Sequence, residues 1–264
     1  MHSHGGNGLL SLDTMLGLAV LGVASLYLAG TVVTRRRGRP WRRMRTASWL
    51  LGVGTIGVVM IGPLAVAAHE SFPAHMLGHL LAGMVAPLFL VAGTPVTLAL
   101  RALDSRQARV LSRLLRSRPA RTVAHPVTAA IINVGSLWLL YRTPLAEVMF
   151  SSAFVHSLIT VHFVLAGYLF VASLVGQDPN PHRASFPVRA GALVAALAGH
   201  SILAKYLVAH PPSGTTAAEA EVGGMLMYYG GDIADAVLII VLCLQWYRAA
   251  GKRLTPVTAR LADG

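Results

Sequence analysis

Residues 76–100 read MLGHLLAGMVAPLFLVAGTPVTLAL, a run without Asp, Glu, Lys or Arg that ends at Arg101. A helix rises 1.5 Å per residue, so about 20 such residues cross a hydrocarbon core of about 30 Å. The run is continuous, without the period-two alternation of a membrane barrel strand, which excludes a spanning sheet. Carried outward along the 264 residues, the same reading gives seven spans: about 10–34, 46–68, 76–100, 126–142, 148–175, 190–208 and 222–247. The expected fold is all-α, a polytopic membrane protein whose seven transmembrane helices form one domain over 1–264.

Composition agrees with this. The chain is 55% hydrophobic and 12% charged, too apolar for a water-soluble domain of its size. Its net charge of +12 would raise nucleic acid as a partner for a soluble chain. Here the basic residues fall between the apolar runs, so nucleic-acid binding is set aside. Seven arginines lie in 35–45, seven in 101–121, and Arg183, Arg189, Arg248, Lys252, Arg253 and Arg260 follow. Of 22 basic residues, 20 thus fall on one side of the spans, with Arg142 and Lys205 as exceptions. Cytoplasmic loops retain positive charge, which predicts an N-terminus outside and a C-terminus in the cytoplasm. The arginine blocks are topology signals that also touch anionic membrane lipid. The first span lacks a basic leader and is followed by a stop-transfer block, so it reads as a retained helix. The glycines, Gly62 among them, read as close helix packing.

Nine of the eleven histidines, all but His125 and His182, lie outside or within the spans. Ionisable groups within lipid are costly and face a bundle interior or cavity. Measured from the expected span ends, His156 and His200 lie about 12 Å below the outer boundary, with Asp232 at about that level. His79 lies about 5 Å in and shares a helical face with His75. His162 points about 240° away from His156. Asp235 follows Asp232 in the seventh span, and Met76, Met225 and Met227 lie near the outer surface.

Imidazole binds copper, zinc, iron and nickel, thioether favours Cu(I), and carboxylate tolerates Cu(II) and harder ions. The set is compatible with copper, although spacing alone does not select it. An interhelical hydrogen bond to Ser, Thr or Asp accounts for any one of these histidines equally well. The candidate ligands are His79, His156, His200 and Asp232 in a deep layer with Asp235, and His69, His75 and Met76 as an outer group. His2 and His4 read as a disordered start. The one cysteine, Cys243, excludes a disulfide framework and a four-thiolate zinc site.

The progression His75-Met76-Leu77-Gly78-His79, Ala86-Pro87-Leu88 and Gly93-Thr94-Pro95 resembles the CtaG family of bacterial cytochrome c oxidase assembly factors associated with caa3-type oxidases. His125-Pro126, His156, His200 and Gly223-Gly224-Met225-Leu226-Met227 also look like family features, and the resemblance extends over about 45–248. It implies a seven-helix protein of the bacterial plasma membrane that helps oxidase subunits mature, through copper supply. More distantly the chain resembles the CopD type of copper-resistance protein. An Ala86-Pro87 step stands where many members pair two prolines.

Three functions fit these residues: an assembly factor that delivers copper to cytochrome c oxidase, a copper or proton transporter, and a b-haem electron carrier with two axial histidines. An enzyme is not expected. No nucleophile with an adjacent base, nucleotide loop, HExxH motif or carboxylate pair is visible.

Overall fold

Backbone groups in lipid have no water to bond, so apolar runs of this length close their hydrogen bonds within the segment as helix. The computed structural model describes the backbone of residues 6–262 and the side chains of 12–251, and contains no strand among the described residues. Its helices are α1 (Gly6–Arg36), α2 (Arg43–Met60), α3 (Pro63–Glu70), α4 (Phe72–Ala92), α5 (Pro95–Ala102), α6 (Ser105–Leu115), α7 (Arg118–Val123), α8 (126–142), α9 (Leu145–Ser151), α10 (Ala153–Val175), α11 (Phe186–Ala209) and α12 (Ala217–Ala262). Helices α4 and α8 each contain one wide π-type turn, at Leu81–Val85 and Ile131–Gly135.

Among the described residues, five helices are long and apolar enough to cross a membrane: α1 from Leu12, α4, α10, α11, and α12 up to Gly251. The count is six if α2 and α3, bent by 48° at their junction, form one broken span. The chain is an all-helical, multi-pass membrane protein. Helix α8 matches the expected fourth segment end to end.

Local chemistry moves three of the expected boundaries. Span 46–68 is broken because Gly62 takes φ 98°, open to glycine but not to side-chain-bearing residues, and Pro63 restarts the chain at the first helical turn. Gly62 therefore marks a bend and not a close helix contact, since a Cβ there would meet nothing within 4 Å. Span 76–100 begins earlier, at Phe72, and stops at Ala92, where Thr94 turns left-handed (φ 50°, ψ 58°) before Pro95 opens α5. Span 148–175 begins at Ala153, since Ser152 caps α10 by accepting the Val155 N–H at 3.4 Å. Residues 148–151 belong instead to the short α9.

Helix α4 is the centre of the bundle. It packs on α2, α3, α10 and α12, while α11 packs on α12 and α8, and α1 lies outside against α2 and α5. The crossing of α4 and α10 is close because Gly167 has no Cβ; one placed there would stand 2.2 Å from the Gly83 carbonyl oxygen. The two largest of four apolar clusters fill the interior. One joins Phe72, Met76, Leu140, Met149, Leu207 and Met227, and the other joins Val91, Phe170, Leu174, Leu193, Leu238 and Leu242.

The arginine-bearing segments meet at the second cluster's end. Arg37 Nη1 donates to the Arg101 and Leu103 carbonyls at 3.1 and 2.8 Å, and Arg45 and Arg101 both lie over the Trp41 ring. Asp178 accepts from the Val96 and Thr97 N–H groups at 3.3 and 2.7 Å, capping α5 from the α10–α11 loop. The two exceptional bases sit on aromatic faces instead. Arg142 lies over Tyr206 at 4.9 Å and Lys205 over Tyr228 at 4.9 Å.

Candidate functional site

The breaks that shift the helix boundaries also set histidine depth. With α10 starting at Ala153, His156 lies within its first turn rather than about 12 Å in. With α4 starting at Phe72, His79 lies about 10 Å along its helix, deeper than the span boundary implied. The two therefore exchange neighbours. His156 meets His69 at the end of α3, while His79 meets His200 inside the bundle.

The outer pair is close. His156 Nδ1 lies 3.4 Å from His69 Nδ1 and 3.2 Å from His69 Nε2, with ring centroids 4.4 Å apart. The His75 ring lies 5.4 Å from that of His156. His75 is buried; its Nε2 is 3.0 Å from the Tyr141 hydroxyl, and its Nδ1 has no partner. An open groove of about 450 Å³ reaches this group, lined by Asp13, His69, Glu70 and His156.

Two small chambers continue inward. The first, about 20 Å³, is lined by His75, His79, Met149, His156 and Thr160. The second, about 30 Å³, is lined by His79, Met84, Asn133, His200 and Asp235. Each has room for about one or two water-sized particles. His156 borders both the groove and the first chamber, and His79 borders both chambers.

In the second chamber the His79 and His200 rings lie 6.2 Å apart, with planes 25° from parallel. Both are held by close packing. A Cβ on Gly83 would stand 3.3 Å from His79 Cε1, and one on Gly231 would stand 2.7 Å from His200 Cε1. Neither His79 Nε2 nor His200 Nε2 has a hydrogen-bond partner, although both are buried. Buried polar atoms are nearly always satisfied by protein or by water, and this pair belongs to residues that border one chamber with room for a water or two.

The eight candidate ligands divide accordingly. His69, His75 and His156 form the outer group, and His79, His200 and Asp235 line the inner chamber. Asp235 is 5% exposed, whereas Asp232 is exposed on the outer face of α12. Met76 is fully buried in the first apolar cluster. Met227 joins it there, Met225 is exposed, and so is His162. His2 and His4 lie outside the described residues. Among the described residues no three His, Cys, Asp or Glu side chains form a ready metal-ion cage. Sequence reasoning passed over Asp13, Glu70, Met84 and Met149. Glu70 was signalled by its place beside His69, whereas α1 docking puts Asp13 at the groove and nothing local marks it.

A multi-pass helical membrane protein with histidines stepping from an open groove into its interior is the class that fold and site define. Within that class, the chain belongs to the family of cytochrome c oxidase caa3 assembly factors, whose family model matches residues 25–249. It is 32% identical to an uncharacterized protein of Mycobacterium bovis over 95% of its own length and 41% of that protein. It is 30% identical to an uncharacterized protein of Mycobacterium leprae over 89% of its own length and 39% of that protein. The chain thus spans about two fifths of the length of these curated relatives. No solved structure matches it.

Proposed function

We propose that the chain is an assembly factor of the bacterial plasma membrane that accepts copper on the extracytoplasmic side and passes it to a cytochrome c oxidase subunit. Copper is the cargo. It enters at the His69–His156 groove, moves past His75, and is held between His79 and His200, with the Asp235 carboxylate and the Met84 thioether lining the same chamber. Imidazole with thioether suits Cu(I), and a nearby carboxylate tolerates Cu(II). The observation that carries this reading is the pair of unpartnered, buried Nε2 atoms of His79 and His200 beside one chamber.

In this reading seven spans cross the membrane, with α2–α3 and the 17-residue α8 each counted as one. The N-terminus lies outside, the orientation that the bias of 20 basic residues to the opposite side favours. The assembly role is favoured over transport because Phe170, Leu174, Leu193, Leu238 and Leu242 fill the interior beyond Asp235 with apolar side chains. A b-haem would need a slot far larger than a 30 Å³ chamber. No reaction is assigned.

The test is elemental analysis of detergent-purified protein loaded anaerobically with copper and freed of excess. Near-integral copper, lost in His79→Ala plus His200→Ala, is the expected result. Equal copper in wild type and double variant, or none in the wild type, overturns the inner site.

A further inference from the structure

At the arginine-bearing end, the last turn of α10 leaves carbonyls that no further helical turn can satisfy. Long side chains take them up. Arg189 Nη1 donates to the Leu174 carbonyl at 2.7 Å, Gln245 Nε2 to that of Val175 at 2.8 Å, and Arg183 Nη1 to that of Gly176 at 2.8 Å. Arg183 Nη2 also donates to Gln245 Oε1 at 2.7 Å. These bonds satisfy the helix end and fix the two guanidinium groups in place, but they do not neutralise them.

A groove of about 490 Å³ opens over this cluster, lined by Gly176, Gln177, Arg183, Arg189, Gln245 and Arg248 together with Ala249. Among the described residues three arginines border it and no carboxylate does. The nearest acid in sequence, Asp178, is turned away to cap α5. Arg189 is only 8% exposed, and its Nε is buried without a partner. Arg248 lies one turn beyond Gln245 on α12 and is exposed. Partial burial pulls the Arg183 guanidinium below its ordinary pKa. Capping a helix end needs N–H groups, not three positive charges around one opening.

We propose that this groove binds a phosphate group, with Arg183 and Arg189 held by the end of α10 and Arg248 closing from α12. Guanidinium forks match phosphate oxygens in geometry as well as charge. An opening at the arginine-bearing end of a membrane bundle is reached both by the headgroup phosphate of an anionic phospholipid and by free phosphate. The site is separate from the histidine chambers, so it stands whether or not copper binds there.

The experiment is thermal unfolding of the full chain in neutral detergent, with added phosphatidylglycerol, phosphatidylcholine or inorganic phosphate. Phosphatidylglycerol should raise the melting temperature by about 3 °C or more, the size expected of a ligand well above its Kd on a chain of this length. Arg183→Gln plus Arg248→Gln should abolish most of that rise. Arg113→Gln plus Arg116→Gln, on the exposed surface of α6 and just beyond, should keep it. Arg248→Gln alone spares every helix-end bond and should reduce the rise should the double variant not fold. The same arginine-dependent rise with inorganic phosphate would identify free phosphate as the source. No rise with either probe, or an equal loss in the Arg113 and Arg116 control, overturns the proposal.

Discussion

Gly231→Ala separates a His200 that is merely packed from one that binds. The added Cβ would stand 2.7 Å from His200 Cε1 and 3.0 Å from Nδ1, about 0.7 Å inside ordinary contact. The imidazole is the end of a side chain, so it yields before the backbone does. Metal–ligand distances hold to about 0.2 Å, so the shift is more than three times what a ligand tolerates. Overpacking costs about 1–3 kcal/mol, offset by about 1 kcal/mol of helix propensity gained over glycine. Stability should therefore fall by no more than about 2 kcal/mol, while copper affinity falls about 10- to 100-fold, the range for mis-oriented ligands. Anaerobic competition against a Cu(I) chelator reads the affinity, and a thermal melt on the same sample reads the fold. Gly191→Ala is the control on α11, since its Cβ would meet nothing within 4 Å. A folded Gly231→Ala protein with wild-type copper affinity would refute His200 as a ligand.

Copper binding should weaken at acid pH, because a ligating imidazole must be deprotonated; affinity against a competing chelator that stays constant down to the pH at which the protein unfolds would count against both histidines. Gly167→Ala should destabilise the protein by about 3 kcal/mol or more, since its Cβ would lie 2.2 Å from a backbone oxygen that cannot swing aside. The readout is the melting temperature, with Gly22→Ala, in open space, as control; an unchanged melt would refute the close α4–α10 crossing. Asp178→Ala should lose about 1–2 kcal/mol by uncapping α5, a drop of about 2–8 °C in the melt; no drop would mean that the cap contributes nothing.

The helical class was legible because lipid leaves the backbone one local solution, and apolar length reports it directly. The ends of helix 126–142 were legible to the residue, since Pro126 opens it and Thr143 closes it as extended backbone. The broken spans were harder. Gly62-Pro63 and Gly93-Thr94-Pro95 are both apolar, so hydropathy runs straight through them while backbone geometry does not. A glycine before a proline is the local signal, since proline disfavours helix at the residue preceding it. At Gly93 the reason is also tertiary. Its carbonyl accepts from the Tyr27 hydroxyl at 2.7 Å, and Tyr27 in turn stacks on Trp49 and accepts from Trp41. No window of sequence contains that contact.

Residue types at the candidate site were legible, and their grouping was not. A histidine's depth is counted from the helix start, and an error of five residues moves it about 7 Å, more than one helical turn. Span 148–175 ignored Ser152, whose hydroxyl caps α10; counting from there puts His156 at the groove and leaves the interior to His79 and His200. The choice between Asp232 and Asp235 could not be made by depth at all. They are three residues apart on one helix, about 300° of rotation, and only the packing of α12 on α4 and α11 decides which faces inward. That packing buries Asp235 in the wall of the chamber that His79 and His200 also line, and leaves Asp232 exposed. A carboxylate is costly within the bundle unless something positive meets it, and no Lys or Arg lines the Asp235 chamber. The same vacancy of charge that makes the two orphaned histidines informative therefore applies to the acid beside them. In the proposed copper reading, a cation in the chamber would meet the two imidazoles and supply the positive charge the acid lacks; among the described residues the three do not form a ready cage.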